Sequence, residues 1–344
     1  MTLKLNKRKA QIIDEMITHW EQEALVNPEQ GETLRNSYHV ASFDWKLLAV
    51  YSFWIAIACF VLSVLLLVAD DYLMSLLAKL INTPASVLTM ITALLSVGLY
   101  YLGVKRRLKY PQKTVSNEAI FFFGVLLTAV SVGFFSKTDI TEHWRESLFI
   151  AIPTVIYLIL GIRLKSVLIW LFGLLSAGIY LLSETAYLSD NHYQFLGMNI
   201  PLQFACFGLI IIGISLFFPR LTLLKSLAEA TRFTGLLYFF TSLWLLTIFG
   251  NYHSLHEWSQ IKQIELWSWT ALALICCTAA IVVGIKNNDV LARSFGITYT
   301  LIVLYTEYIE YFWGEIHKAL FFAILALSFW VIGTKAEKLW QLGK

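Results

Sequence analysis

The sequence predicts an all-α, polytopic membrane helical bundle of about ten transmembrane helices. We expect it to contain two parallel four-helix repeats and to carry a cytoplasmic N-terminal helical hairpin. Three observations lead to this fold class. The 344 residues are 58% hydrophobic and 14% charged, whereas soluble chains are about 25% charged. Apolar runs of membrane-spanning length recur along the chain, and one part of the sequence is similar to a later part. The composition excludes a soluble enzyme with a single anchor and a disordered chain.

Residues 1–46 are mostly polar and predict the helical hairpin. Apolar residues recur at helical spacing within 7–26, which predicts a short amphipathic helix. Asn27 followed by Pro28 is typical of a helix N-cap with proline at the first helical position, so a second helix is expected over 29–38. Two short helices bury little area alone. We therefore expect the hairpin to dock on the inner face of the protein, on a second copy or on a cytoplasmic protein partner.

Residues 47–344 are predicted to form the transmembrane domain. A helix needs about 20 apolar residues to cross the hydrocarbon core of a bilayer. Ten apolar runs, bounded by charged residues, proline or asparagine, come close to that length. The predicted spans are 47–69, 84–104, 118–136, 148–162, 166–183, 200–218, 234–250, 267–285, 294–312 and 318–334.

Charged residues are divided unequally between the two predicted faces of the membrane. The termini and the loops on their side hold 21 of the 26 basic residues and 11 of the 23 acidic residues. This face has a formal charge of +10 and the opposite face −7, which agree with the total of +3. Basic loops remain cytoplasmic, so both termini are expected in the cytoplasm, as in a multi-pass inner-membrane protein. The acidic outer face is either a consequence of topology or a vestibule for cations or protons.

Both ends of the chain carry recognisable groups of residues. These are Trp20, Ala24-Leu25-Val26, Pro28-Glu29-Gln30, Leu34 and Tyr38 at the start, and Arg293-Ser294-Phe295-Gly296 and the charged tail Lys335 to Lys338 at the end. In these residues the chain resembles a bacterial family of predicted membrane proteins called domain of unknown function 2157. The resemblance implies a polytopic inner-membrane protein. It implies no activity and no site residues.

An internal repeat is the most informative feature of the sequence. Residues 142–184 align with 265–307 without a gap at a constant offset of 123, and twelve of the 43 positions are identical. With the upstream spans included, the repeats cover about 82–187 and 199–310. Each then holds four spans, so the repeats run parallel, as in one class of transporters. A duplication that only builds a bundle is the alternative.

The repeat aligns two acidic residues that are candidates for a substrate or ion site, Glu184 and Glu307. Glu310 follows one helical turn later, and Tyr305 and Tyr308 flank Glu307. At about 1.5 Å per residue, Glu307 lies about 21 Å from the basic start of its span. An ionised carboxylate facing lipid at that depth is costly, so Glu307 is expected to face the bundle or a wet cavity, or to be protonated. The alternative places both glutamates at the headgroup boundary beside an aromatic belt.

The sequence contains no nucleotide-binding loop, dinucleotide glycine pattern, nucleophile elbow or spaced metal-ligand set. No enzyme activity, cofactor or nucleic-acid partner is therefore expected, and the lipid bilayer is the expected environment. The leading hypothesis is transport of a small solute, ion or lipid through a cavity between the repeats. The competing hypothesis is a non-transporting scaffold or envelope-stress sensor that recruits a partner through the N-terminal hairpin.

Overall fold

The N-terminal part of the chain folds as two helices framed by two short strands. The computed structural model describes residues 3–23, 25–41, 59, 84–190, 193–252, 254–314 and 316–340. Strand β1 (Leu3–Asn6) precedes helix α1 (Lys7–Gln22), and helix α2 (Pro28–Asn36) precedes strand β2 (Tyr38–Ala41). The strands pair in parallel, with Leu3 opposite Tyr38.

The helical hairpin of the prediction is present, but its second helix is shorter than expected. Asn27 is the N-cap of α2 and Pro28 is its first residue, as the sequence predicts. The backbone N–H of Asn27 donates to the side chain of Gln30 at 3.1 Å. The helix ends at Asn36 and Tyr38 lies in β2, so the expectation that Tyr38 is helical is wrong. Parallel strands need a long crossover connection, and the two helices supply it.

One arginine links the two helices of the hairpin. Arg35 on α2 donates to both carboxylate oxygens of Glu21 on α1, at 2.7 and 2.9 Å, and to Asp14 at 2.9 Å. These hydrogen bonds lower the pKa of Glu21 below its ordinary value of 4.5 and raise the pKa of Arg35. Ile17 of α1 is buried, while Ile12 is half exposed.

Nine further long or apolar helices, and one short one, follow in the described part of the chain. They are α3 (Ala85–Lys109), α4 (Thr114–Phe135), α5 (Glu146–Leu164), α6 (Val167–Leu188), α7 (Ile200–Ser215), α8 (Ala228–Phe249), the short α9 (Leu255–Ser259), α10 (Trp267–Lys286), α11 (Val290–Phe312) and α12 (Lys318–Trp340). Single turns of 3-10 helix extend α7, α8 and α10 at one end. Seven of these helices, α3 to α8 and α10, are long and apolar enough to cross a membrane.

The described helices coincide with nine of the ten predicted spans. The fourth run is longer than expected, because α5 has 19 residues and thus a length of about 28 Å, close to the hydrocarbon thickness. The runs at 294–312 and 318–334 fall on α11 and α12, which are outside the set of seven. The first predicted span, 47–69, lies outside the described residues apart from Cys59. The count of ten spans therefore stays a prediction.

The described residues form two compact units. One contains the residues before Pro84 together with Tyr110–Ala119, and the other contains Pro84–Lys109 and the residues from Ile120 onward. Within the second unit, α5 packs on α6, α7 on α8 and α10 on α11, and α8 also contacts α6, α10 and α11. Side chains of α8 such as Phe240 and Leu246 are buried there.

Two helix pairs, α5 with α6 and α10 with α11, begin their second helix in the same way. Ser166 is the N-cap of α6 and its side chain accepts a hydrogen bond from the backbone of Ile169. Asp289 is the N-cap of α11 and accepts from Leu291 and Ala292. Ser166 and Asp289 are separated by the same offset of 123 as the sequence repeat.

Close approach of the helices in both pairs requires glycine at aligned positions. A Cβ atom at Gly161 of α5 would lie 2.9 Å from Cα of Trp170 on α6. A Cβ atom at Gly284 of α10 would lie 2.6 Å from the backbone N of Arg293 on α11. Both glycines and both of their neighbours are related by the offset of 123. The two helix pairs therefore cross at equivalent points, where only a hydrogen atom fits.

Candidate functional site at the acidic ends of two helix pairs

Glu184 lies near the C-terminal end of α6 and holds an arginine from the start of α5. One carboxylate oxygen, Oε1, accepts a hydrogen bond from Nη1 of Arg145 at 3.0 Å. The other oxygen, Oε2, is buried and has no hydrogen-bond partner among the described residues. The side chain is 21% exposed. A carboxylate oxygen that is buried without a donor is costly, so this environment suits an additional hydrogen-bond donor.

A second polar atom without a partner lies near the same end of the pair. Ser147, in the first turn of α5, is 1% exposed, and its hydroxyl oxygen has no hydrogen-bond partner among the described residues. Ser147 lines an open cleft of about 750 Å³ that is also bordered by Glu146, Tyr187 and Asp190. The cleft therefore combines acidic, aromatic and hydroxyl groups at the end of the bundle opposite the basic loops.

Glu307 occupies the aligned position in the second pair, and one of its carboxylate oxygens accepts a hydrogen bond from the neighbouring helix. The hydroxyl of Thr270 on α10 donates to Oε1 of Glu307 on α11 at 2.6 Å. Thr270 aligns with Ser147 at the offset of 123. Each helix pair thus has a hydroxyl residue on its first helix and a glutamate on its second, at equivalent positions. The glutamate of the second pair is therefore bonded to the aligned hydroxyl, whereas the hydroxyl of Ser147 in the first pair has no partner among the described residues.

The two tyrosines that flank Glu307 in the sequence contact a different helix. The hydroxyl of Tyr305 is 3.0 Å from Oγ of Ser328 on α12. The hydroxyl of Tyr308 donates to the backbone carbonyl of Phe321 on α12 at 2.9 Å. Both tyrosines border an apolar cleft of about 250 Å³ between α11 and α12. They therefore hold α12 against α11, whereas Glu307 bonds to α10. Glu310 has interactions of its own.

The structure places Glu184 and Glu307 in separate helix pairs. Between them, α6 packs closely on α7 and α8. Nε1 of Trp170 donates to the hydroxyl of Thr231 at 2.8 Å, and both side chains are buried. Neither glutamate is among the residues that border the two clefts described above. The arrangement consequently offers one small polar site within each helix pair.

Sequence reasoning missed three residues of this site. Ser147 and Thr270 are aligned hydroxyl residues in the repeat, so a search for conserved side-chain chemistry at aligned positions would have found them. Arg145 has no such signal, because the aligned residue is Ser268. Its role depends on the approach of α5 and α6. Among the described residues, no group of three His, Cys, Asp or Glu side chains is placed to hold a metal ion.

Comparisons with known proteins identify no relative of the chain. No family model matches the sequence, and no curated protein or solved structure is significantly similar to it. The resemblance of the two ends to a family of predicted membrane proteins stays a prediction.

Proposed function

We propose that this protein is a multi-pass transporter of the inner membrane that moves protons or a small cationic solute. In this proposal both termini are cytoplasmic, and Glu184 and Glu307 receive the cargo at the outer ends of their helix pairs. The single observation that carries the proposal is the pairing of each glutamate with a side chain of the neighbouring helix. Glutamates that only marked the headgroup boundary would not need the 2.6 Å hydrogen bond from Thr270.

The similarity of the two helix pairs supports one glutamate site in each pair. Besides the crossing points at Gly161 and Gly284, a second aligned pair of glycines packs in the same manner. A Cβ atom at Gly173 would lie 3.1 Å from the backbone N of Leu158, and one at Gly296 would lie 3.0 Å from that of Ile281. We infer that the repeat units are related by gene duplication and face the same way in the membrane. The close contact of α6 with α8 favours a site inside each pair over a shared cavity between repeats.

The test is ion flux through the purified full chain in proteoliposomes. With a potential imposed across the membrane, an internal pH dye should report proton entry above that of protein-free vesicles. Glu307→Gln should reduce this flux at least tenfold, because the amide cannot bind or release the proton. The matched control is Glu142→Gln, which changes an exposed acid of the same face. Absence of flux in the unmodified protein, or full flux in Glu307→Gln, would overturn the proposal.

A scaffold or sensor is the second candidate, and one observation favours it. Ile12 and Met16 on α1 and Leu34 on α2 are 40–50% exposed on the N-terminal hairpin. Apolar side chains grouped on a small cytoplasmic unit are typical of a surface that binds a partner or a second copy. If this candidate is correct, removal of residues 1–41 abolishes the cellular phenotype of the protein while Glu307→Gln preserves it. The transport proposal expects the reverse.

A further inference from the structure

We propose that the cleft bordered by Ser147 and Tyr187, next to the ion pair of Arg145 with Glu184, binds an organic cation with a guanidinium or primary ammonium group. We further propose that Arg145 is a tethered occupant of this site that such a cation displaces. The inference rests on the proposed function, because it names the class of cargo that Glu184 receives. It has its own structural basis in the surroundings of the Arg145 side chain.

Arg145 is held as a bound organic cation would be held. Its guanidinium donates to Glu184 at 3.0 Å and lies over the ring of Tyr187, 4.9 Å from the ring centroid. A carboxylate on one side and an aromatic face on the other form a common cage for guanidinium and ammonium groups. The side chain of Arg145 is 42% exposed, so it can leave for solvent without disturbing the core.

The site offers more hydrogen-bonding capacity than Arg145 uses. Oε2 of Glu184 and Oγ of Ser147 are both buried and have no partner among the described residues. A guanidinium group carries five N–H donors in a planar fork and can bind both oxygens of a carboxylate at once. The backbone of Arg145 is fixed at the N-cap of α5, and its guanidinium contacts only Oε1 of Glu184. A free cation has no such restraint and can orient its donors toward both oxygen atoms.

The charge of the cleft also favours a cation. The N-terminus of α5 has a partial positive charge that by itself attracts anions. Glu146 in the first helical turn opposes this charge, and Asp190 borders the cleft on the other side. Among the described residues around the cleft, the carboxylates of Glu146, Asp190 and Glu184 outnumber the guanidinium group of Arg145.

The second helix pair lacks these features at the aligned positions. Ser268 and Glu310 stand where the first pair has Arg145 and Tyr187. Thr270 already donates to Glu307. The first pair is therefore the one with unsatisfied acceptor capacity, and the organic cation is assigned to it alone.

Direct binding to the purified full chain in detergent micelles tests the inference. Methylguanidinium chloride is titrated by calorimetry, with sodium chloride of equal ionic strength as the reference titrant. Arg145→Gln should bind methylguanidinium about tenfold more tightly than the unmodified protein, because the competing ion pair and ring contact are gone. Glu184→Gln should lose binding at least tenfold. Glu142→Gln, the matched exposed acid, should bind like the unmodified protein.

A further variant keeps the test decisive if Arg145→Gln does not fold, as judged from its thermal unfolding. Ser147→Ala removes only the buried hydroxyl and should weaken methylguanidinium binding severalfold. The inference is wrong if Ser147→Ala and Glu184→Gln both bind like the unmodified protein, if no variant binds methylguanidinium, or if the cleft binds chloride instead.

Failure of this inference is distinguishable from failure of the proposed function. Proton flux that depends on Glu307, without methylguanidinium binding, would overturn the assignment of the cation and leave the transport proposal intact. Binding that depends on Glu184, without flux through the reconstituted protein, would support the site and overturn transport. The two assays therefore decide the two questions separately.

Discussion

Replacement of Gly284 by alanine tests whether the close crossing of α10 and α11 is essential to the fold. The new Cβ atom would lie 2.6 Å from the backbone N of Arg293 and 2.9 Å from its Cα, whereas nonbonded carbon atoms prefer about 3.5–4.0 Å. Backbone atoms cannot rotate away, so the helices must separate by about 1 Å. Overpacking of this kind costs about 1–3 kcal/mol, and alanine recovers about 1 kcal/mol in helix propensity over glycine. The expected net loss is therefore at most about 2 kcal/mol relative to glycine, and about 1–3 kcal/mol relative to an alanine that meets no neighbour.

The assay is unfolding in mixed micelles, followed by circular dichroism as the fraction of denaturing detergent rises. Gly133→Ala on α4 is the matched control, since no atom lies within 4 Å of its new methyl group, and it should unfold no earlier than the unmodified protein. Gly161→Ala should resemble Gly284→Ala, because its Cβ would lie 2.9 Å from Cα of Trp170. If Gly284→Ala is as stable as Gly133→Ala, the close contact of the backbones does not limit stability and the reasoning fails.

Two further predictions concern a buried hydrogen bond and the N-terminal hairpin. Trp170→Phe should lower the free energy of unfolding by about 1 kcal/mol, measured in the same micelle assay, because it removes the bond to Thr231 and leaves a buried hydroxyl with one partner fewer. An unchanged unfolding transition would contradict this. Acid should loosen the hairpin below about pH 4.5, because Arg35 lowers the pKa of Glu21. The ion pair therefore stabilises the folded hairpin fully above the pKa that Glu21 has in the unfolded chain. This stabilisation is lost as the pH falls through the pKa of Glu21 in the folded hairpin. The distance between spin labels on α1 and α2 should increase in that pH range. In Arg35→Met, which lacks the ion pair, this distance should be the same at acidic and neutral pH. An unchanged distance in the unmodified protein would contradict the prediction.

The contacts alter the interpretation of the candidate site. Aligned glutamates and parallel repeats favour a cavity between the repeats, because many transporters bind their cargo at the interface of repeats. The described residues instead show α6 and α8 joined by the buried bond between Trp170 and Thr231. The glutamates are directed to the partner helix within each pair. Tyr305 and Tyr308, which neighbour Glu307 in the sequence, are directed to α12.

The sequence by itself was sufficient to predict a helical membrane protein and nearly all of the described helices. The reason is that a bilayer requires about 20 apolar residues per crossing, and this requirement is visible in composition and charge without knowledge of any contact. The N-cap at Asn27 was predictable for a similar reason, since capping depends on residues close in the sequence. The constant offset of 123 between the aligned residues was also visible in the sequence.

Only the tertiary structure decided which helix each side chain contacts. Residues on one helix point in different directions at successive positions, so Tyr308 and Glu307 can be neighbours in sequence and bond to α12 and α10 respectively. The parallel strands around the hairpin depend on segments that are more than 30 residues apart. The approach of Arg145 to Glu184 likewise depends on how α5 crosses α6. Local chemistry fixes which segments become helices, whereas the site arises from the angle and depth at which those helices meet.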